Sequence, residues 1–299
     1  MKALVISGGG SKGAFGGGVA EFLCRELNNQ YDIYAGCSTG SLLIPFFALG
    51  EIDKIKQVYT TVQQSDVYTI CPFSIKELPD GTISSRINHW NTIRMFISRQ
   101  KTFGNTRALR NSISNIFSEK DFNILKASPV KVIINVANLT TNRVEYKYLM
   151  DYSYVDFCDW MWASCSFVPF MSLVEKNGYD YADGGFGDYI PIEAAIDAGA
   201  TEVDAIILSP RNKQVKKSKV SNPFDTLMQS MDFMMDQIIS DDIHRGYMES
   251  IYNAKVKIRF FYTPRQLTKY SFYFNPKQMK SWWEEGFQYA KETSSLMNV

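Results

Sequence analysis

Gly36-Cys37-Ser38-Thr39-Gly40 follows a short β-prone run and opens an apolar helix, and this arrangement constrains the fold more than any other stretch of the chain. A chain that leaves a strand and enters a helix within a few residues must turn sharply. Glycines on both sides of the central serine keep that turn free of side chains. The turn lifts Ser38 out of the sheet and makes it the candidate nucleophile, with Gly36 and Gly40 forming the elbow around it. Cys37 holds the variable position of such an elbow, where a small apolar filler packing inward is expected.

Ahead of the elbow, Lys2-Ala-Leu-Val-Ile-Ser7 reads as a buried strand that runs without a gap into Gly8-Gly9-Gly10-Ser11-Lys12-Gly13 and then a helix to about Asn28. Such a loop presents backbone N–H groups at a positive helix terminus, which suits either a bound phosphate or the oxyanion of an acyl-transfer intermediate. Gly8, Gly10 and Gly13 also satisfy G-x-G-x-x-G, but a dinucleotide fold needs an acidic residue at the end of its second strand. Here that strand ends in Ala35-Gly36, and Asp32 lies at its start, the wrong end to reach a ribose. Lys12 lacks the spacing of a Walker loop.

Tyr179-Asp180-Tyr181-Ala182-Asp183-Gly184-Gly185 is a second short strand, closing on a carboxylate and two glycines. Alone it is an Asp-Gly turn; beside a serine nucleophile it also offers a proton acceptor. The chain has only two histidines, His89 and His244, and neither sits in a recognisable motif. His244 is the one that would complete the order Ser, Asp, His of an α/β-hydrolase triad.

Strands are expected near 2–7, 31–35, 130–137, 179–182, 203–209 and 255–262, with a further hairpin-like strand from Val144 to Leu149. Most are continuous Val/Ile runs buried on both faces, which implies an α/β fold with a mostly parallel central sheet flanked by helices. Helices are expected near 39–49, 51–64, Pro223 to Asn253 and Pro276 to Lys291. The third carries Met228, Met231, Met234, Met235 and Met248 with Phe224 and Phe233, read as core packing. The last carries Trp282-Trp283, facing either the sheet or an interface. Between about 65 and 126 the pattern changes to short aromatic and polar segments, including Cys71-Pro72-Phe73, Leu78-Pro79-Asp80-Gly81 and His89-Trp90. This reads as a cap inserted into a single domain spanning 1–299.

Taken together, Gly8–Gly13, Gly36–Gly40, Ala-Ser-Cys-Ser-Phe-Val-Pro-Phe (163–170) and Asp183-Gly184-Gly185 resemble the patatin-like phospholipases, in the family's order and with similar spacing. The blocks span roughly residues 1 to 210. The resemblance implies a three-layer α/β sandwich and a Ser-Asp dyad without histidine. Ser38 would be the nucleophile, Asp183 the general base, and the backbone N–H groups of the Gly8–Gly13 loop the oxyanion hole. Val168 falls where many relatives carry Phe or Ala, a departure that bears on pocket shape. The implied activity is hydrolysis of phospholipid or other acyl esters through an acyl-enzyme. A general carboxylesterase using His244 in a triad, and a non-catalytic lipid-binding module, are the rival readings.

Composition narrows the classes further. Apolar residues make up 45% of 299 residues, enough for a sizeable core, and the formal net charge of +1 encodes no global attraction to nucleic acid. Five scattered cysteines, without C-x-x-C or metal-ligand spacing, read as reduced, and neither a metal nor a cofactor is expected. No apolar run approaches the length of a membrane span and no signal peptide is evident, so a cytoplasmic location is expected. The one concentrated basic run, Arg211 to Lys219, is a candidate for peripheral contact with phosphate headgroups.

Overall fold

A computed structural model describes residues 1–77, 83–212, 220, 222–253 and 255–297. Its strands are β1 (Lys2–Ile6), β2 (Ile33–Gly36), β3 (Phe73–Glu77), β4 (Ile83–Ile87), β5 (Lys131–Asn138), β6 (Arg143–Tyr148), β7 (Val174–Lys176), β8 (Tyr179–Asp183), β9 (Glu202–Pro210) and β10 (Lys257–Thr263). The main sheet runs β10-β9-β1-β2-β5-β8-β7, with β6 on the other edge of β5. The pairs joining β10, β9, β1, β2 and β5 are all parallel. The mostly parallel α/β sheet expected from the Val/Ile runs is therefore present.

Side-chain alternation divides the core between the two faces of this sheet. Leu4, Ile6, Tyr34, Ile134, Ile206 and Leu208 enter one apolar cluster, whereas Ala3, Val5, Ile33, Ala35, Ile133, Ala205 and Ile207 enter the other. The first face is covered by the helices Gly13–Arg25, Thr39–Leu49, Ile52–Thr61, Tyr154–Ser164 and Pro276–Met297. Trp283 of the last is fully buried and donates its indole N–H to Glu21 Oε2 at 2.6 Å, so these tryptophans cover the sheet. The second face is thinner and rich in alanine, under the helices Ile192–Asp197 and Pro223–Tyr252. Core packing holds for only part of the Met-rich helix, through Met231 with Phe224 and Met228 packed beside it. Met231 is buried, but Phe233, Met234 and Met248 are 65%, 53% and 47% exposed, because a 30-residue helix outruns the short layer beneath it.

One feature of register places the site. β6 pairs with Ile133–Asn138 of β5, so β2 and β8 must share the opposite edge, β2 along Lys131–Ile134 and β8 along Val136–Asn138. β2 is parallel to β5 and β8 antiparallel, so the two run toward each other. They stop with Gly36 opposite Ile134 and Asp183 opposite Val136. At roughly 3.3 Å per residue, the strand ends face each other across about 7 Å.

Between residues 65 and 126 lie the antiparallel hairpin β3–β4 and the helices His89–Ile97, Arg107–Ile116 and Glu119–Ala127. The segment is tied back by Phe103, whose N–H donates to the Pro169 carbonyl at 2.7 Å. The segment Leu78–Gly81 of the expected cap lies outside the described residues. So does most of the basic run, including Lys213, Lys216, Lys217 and Lys219.

Candidate active site

Ser38 sits between the end of β2 and the helix Thr39–Leu49 with φ 50° and ψ −120°. A non-glycine residue in that region is strained by an order of 1–3 kcal/mol, and the surroundings hold it there. The Ser38 N–H donates to Ser164 Oγ at 3.0 Å, and its carbonyl accepts from Ser41 Oγ at 2.6 Å. Gly40 passes so close to β1 that an added Cβ would stand 2.1 Å from the Ile6 carbonyl oxygen. Only glycine permits this approach.

Asp183, at the facing end of β8, is 3% exposed. Its N–H donates to the Ser166 carbonyl at 2.9 Å, and its Oδ1 accepts from the Gly185 N–H at 2.9 Å and the Cys37 thiol at 3.7 Å. Burial pushes the carboxyl up to about 6; hydrogen bonds from the Ser38 hydroxyl, the Gly185 amide and the Cys37 thiol pull the other way. Ser38 and Asp183, distant in sequence, are thus brought into one another's electrostatic surroundings. Cys37 is fully buried, as expected of an inward elbow residue, and burial holds its thiol neutral.

The block 163–170 clamps both members. Ser164 holds the backbone of Ser38 and Ser166 that of Asp183, while Cys165 Sγ lies 3.7 Å from Ser41 Oγ. Sequence reasoning did not single out these contacts, nor Tyr189. The Tyr189 ring lies where a Cβ on Gly8 or on Gly185 would fall, at 2.8 Å in each case, and its carbonyl accepts the Gly8 N–H at 3.1 Å. It therefore joins the first glycine loop to the Asp-Gly-Gly turn. No motif marks it.

The glycine loop lies against the elbow, since a Cβ on Gly13 would meet Thr39 Oγ1 at 2.2 Å. Most of its amides are spent: Ser11 N–H donates to the Ser271 carbonyl, Lys12 N–H to Gly9, and Gly13 N–H to Gly10. The amides of Gly9 and Gly10 have no acceptor among the described residues. Lys12 Nζ donates to the Leu208 carbonyl at 2.6 Å, which fastens the loop to β9. Neither histidine reaches this site. His89 is exposed at the start of its helix, and His244 is exposed with Nδ1 2.8 Å from the Ser240 carbonyl of its own helix.

Half-buried Phe167, Phe186 and Phe272 gather beside Asp183 and the glycine loop, with ring centroids 4.9 Å apart for Phe167–Phe186 and 5.0 Å for Phe167–Phe272. Fully buried Phe170 backs them and also meets Phe73, Phe103 and Phe224. The site is thus polar at its centre and aromatic at its side. Among the described residues no cluster of His, Cys, Asp and Glu has the makings of a metal site.

A glycine loop, a strained strand-to-helix serine and a strand-terminal aspartate on one α/β sheet define the class, and the family follows directly. The model of the patatin-like phospholipases matches residues 4–196, and the chain belongs to that family. Membership supports lipid acyl hydrolase activity in general terms. The structure of VipD from Legionella pneumophila is similar in fold, with a TM-score of 0.52 and 14% identity over 97% of this chain. The chain spans 66% of VipD's length. No curated protein matches it.

Proposed function

We propose that the chain hydrolyses phospholipids or related acyl esters with Ser38 as nucleophile and Asp183 as its only base. The observation that carries this reading is the strained serine at the end of one strand facing a buried carboxylate at the end of another, a pair that no histidine approaches. Ser38 Oγ attacks the ester carbonyl carbon as its proton passes to Asp183. An ordinary carboxylate, near 4, is a poor acceptor for that proton; raising Asp183 to about 6 improves it by about two powers of ten.

The negative oxygen of the tetrahedral intermediate is held by the amides of Gly9 and Gly10, the two that the loop leaves unspent, beside the helix N-terminus at Thr39. Each such donor is worth about 3–4 kcal/mol in comparable sites. Collapse breaks the bond to the leaving alcohol, which takes the proton from Asp183. Water then attacks the acyl-serine, giving its proton to Asp183, and the fatty acid departs as Ser38 regains its hydrogen. The aromatic wall of Phe167, Phe186 and Phe272 receives the acyl chain, which favours lipid esters over small polar ones.

The test is product analysis on a mixed panel of phospholipids and acyl esters, with fluorophosphonate labelling alongside. Wild-type protein should release fatty acid and label. Ser38→Ala should do neither while keeping its melting curve, and turnover by that variant would remove Ser38 from the mechanism.

A further inference from the structure

The helix His89–Ile97 carries its apolar residues on the wrong side for a core. Trp90, Ile93 and Ile97, at spacings of three and four, share one face and are 78%, 51% and 79% exposed, and Phe96 beside them is 65% exposed. Met95, on the opposite side, is the buried anchor. A contiguous exposed patch of this kind marks an interaction surface.

Charge indicates what lies against it. No acidic residue occurs between Asp80 and Glu119, while Arg86, Arg94, Arg99, Lys101, Arg107 and Arg110 all do. Lys101 pairs with Glu175 and Asp180, and Arg110 with Asp159. Arg86, Arg94, Arg99 and Arg107 form no ion pair among the described residues, and all four are exposed. An apolar face with unpaired Arg94 on the same helix and Arg99 just beyond its end fits the boundary between anionic headgroups and acyl chains.

The same face connects inward. Phe96 lies 5.7 Å from Phe103, Phe103 6.1 Å from Phe170, Phe170 6.5 Å from Phe167, and Phe167 4.9 Å from Phe186, three residues beyond Asp183. A line of aromatic rings thus runs from the exposed helix to the site.

We propose that the helix His89–Ile97 is the surface by which this protein sits on anionic phospholipid bilayers, with Trp90, Ile93 and Ile97 entering the interface and Arg94 and Arg99 at the headgroups. Its use rests on the reading of the site as a lipid acyl hydrolase. No helix among the described residues is long and apolar enough to cross a membrane, so contact through this face is lateral.

Trp90 supplies the probe. Trp160, Trp282 and Trp283 are buried and Trp162 is half-buried, so Trp90 is the most exposed of the five tryptophans. With Ser38→Ala protein, which binds without turning over, phosphatidylcholine vesicles containing phosphatidylserine should blue-shift the emission, and bromine-labelled acyl chains should quench it. Trp90→Phe should keep the binding and lose the signal. Ile93→Ser with Ile97→Ser should weaken binding at least about tenfold. Arg94→Gln and Arg99→Gln should each weaken it about fivefold at low salt and less as salt rises.

Hydrolysis of a short soluble ester, measured with Ser38 in place, should be the same with and without the Ile93 and Ile97 changes. Absence of quenching, or vesicle binding unaltered by the two serines, overturns the docking surface and leaves the hydrolase reading standing. Vesicle binding without ester hydrolysis by the wild type overturns the hydrolase reading instead. A dimer that Ile93→Ser dissolves, with no vesicle affinity, assigns the face to a second copy and also overturns the proposal.

Discussion

Around Ser38 and Asp183 the chain buries everything it can, including Cys37, Ser41, Ser164, Ser166 and the carboxylate itself, whereas the helix His89–Ile97 leaves a tryptophan, two isoleucines and a phenylalanine in the open. The first region stores strain and a misplaced charge in a rigid frame of strand ends, which is what a poised reaction centre requires. The second stores apolar surface with no frame above it, which is what a surface awaiting a partner requires. Their separation makes them independently breakable: changes at the strand ends should act on chemistry, and changes on the exposed helix only on where the protein resides.

The largest expected effect is at Asp183. Asp183→Asn should lower kcat at least about a hundredfold, the low end of a general-base contribution. It should also stabilise the fold at pH 8. Holding this carboxylate charged at a site where its pKa is about 6 rather than 3.8 costs about 3 kcal/mol, a penalty the amide does not carry. An inactive variant with a raised melting temperature would show that the buried charge is kept for function. An inactive variant that melts early would make Asp183 a structural post.

Next is pH. A base with a pKa of about 6 must be ionised to act, so kcat/KM should rise about tenfold per pH unit up to about 6 and level off above it. Stability should move oppositely. Burial raises Asp183 and Asp188 to about 6 and Asp242 to about 7, the last also through the charge of Asp188. The native state then binds more protons than the unfolded chain between about pH 4 and 7, and stability falls as pH rises through that window. Asp156, held low by its hydrogen bond from Lys176, acts in the reverse sense only below it. Melting scans at pH 5 and pH 8 check the sign, and a higher melting temperature at pH 8 would contradict it.

The two regions also differ in how far sequence reveals them. β1, β5 and β9 are continuous apolar runs because both of their faces are covered, and each lies within a residue or two of its expected place. Ser38 was visible because Gly40 must clear the Ile6 carbonyl and no other residue can. The pairing of Ser38 with Asp183 was legible only through the family resemblance, since the strand geometry that brings them together depends on β2 and β8 sharing one edge of β5, a matter of long-range register. β3 and β4 escaped notice because Phe-Ser-Ile-Lys-Glu and Ile-Ser-Ser-Arg-Ile lack a sustained apolar pattern, and three-residue β7 is too short to leave one. Trp90 and Ile93 mislead for the opposite reason. Composition assigns such residues to a core, and only their exposure shows that their partner is elsewhere.

The smallest expected effect tests the absence of a third catalytic member. His89 belongs to the exposed helix and His244 to the long outer one, where its Nδ1 is already engaged by the Ser240 carbonyl. A triad histidine would have to stand between Ser38 and Asp183, yet the strand ends that carry them are only two β5 residues apart and neither histidine is near them. His89→Ala and His244→Ala, singly and together, should therefore leave kcat/KM on a soluble ester within about tenfold, or 1.4 kcal/mol of transition-state stabilisation. A thousandfold loss for His244→Ala with an unchanged melting curve would mean that the long helix swings inward during turnover. That outcome would restore the ordinary Ser-Asp-His triad and make the outer surface part of the reaction centre after all.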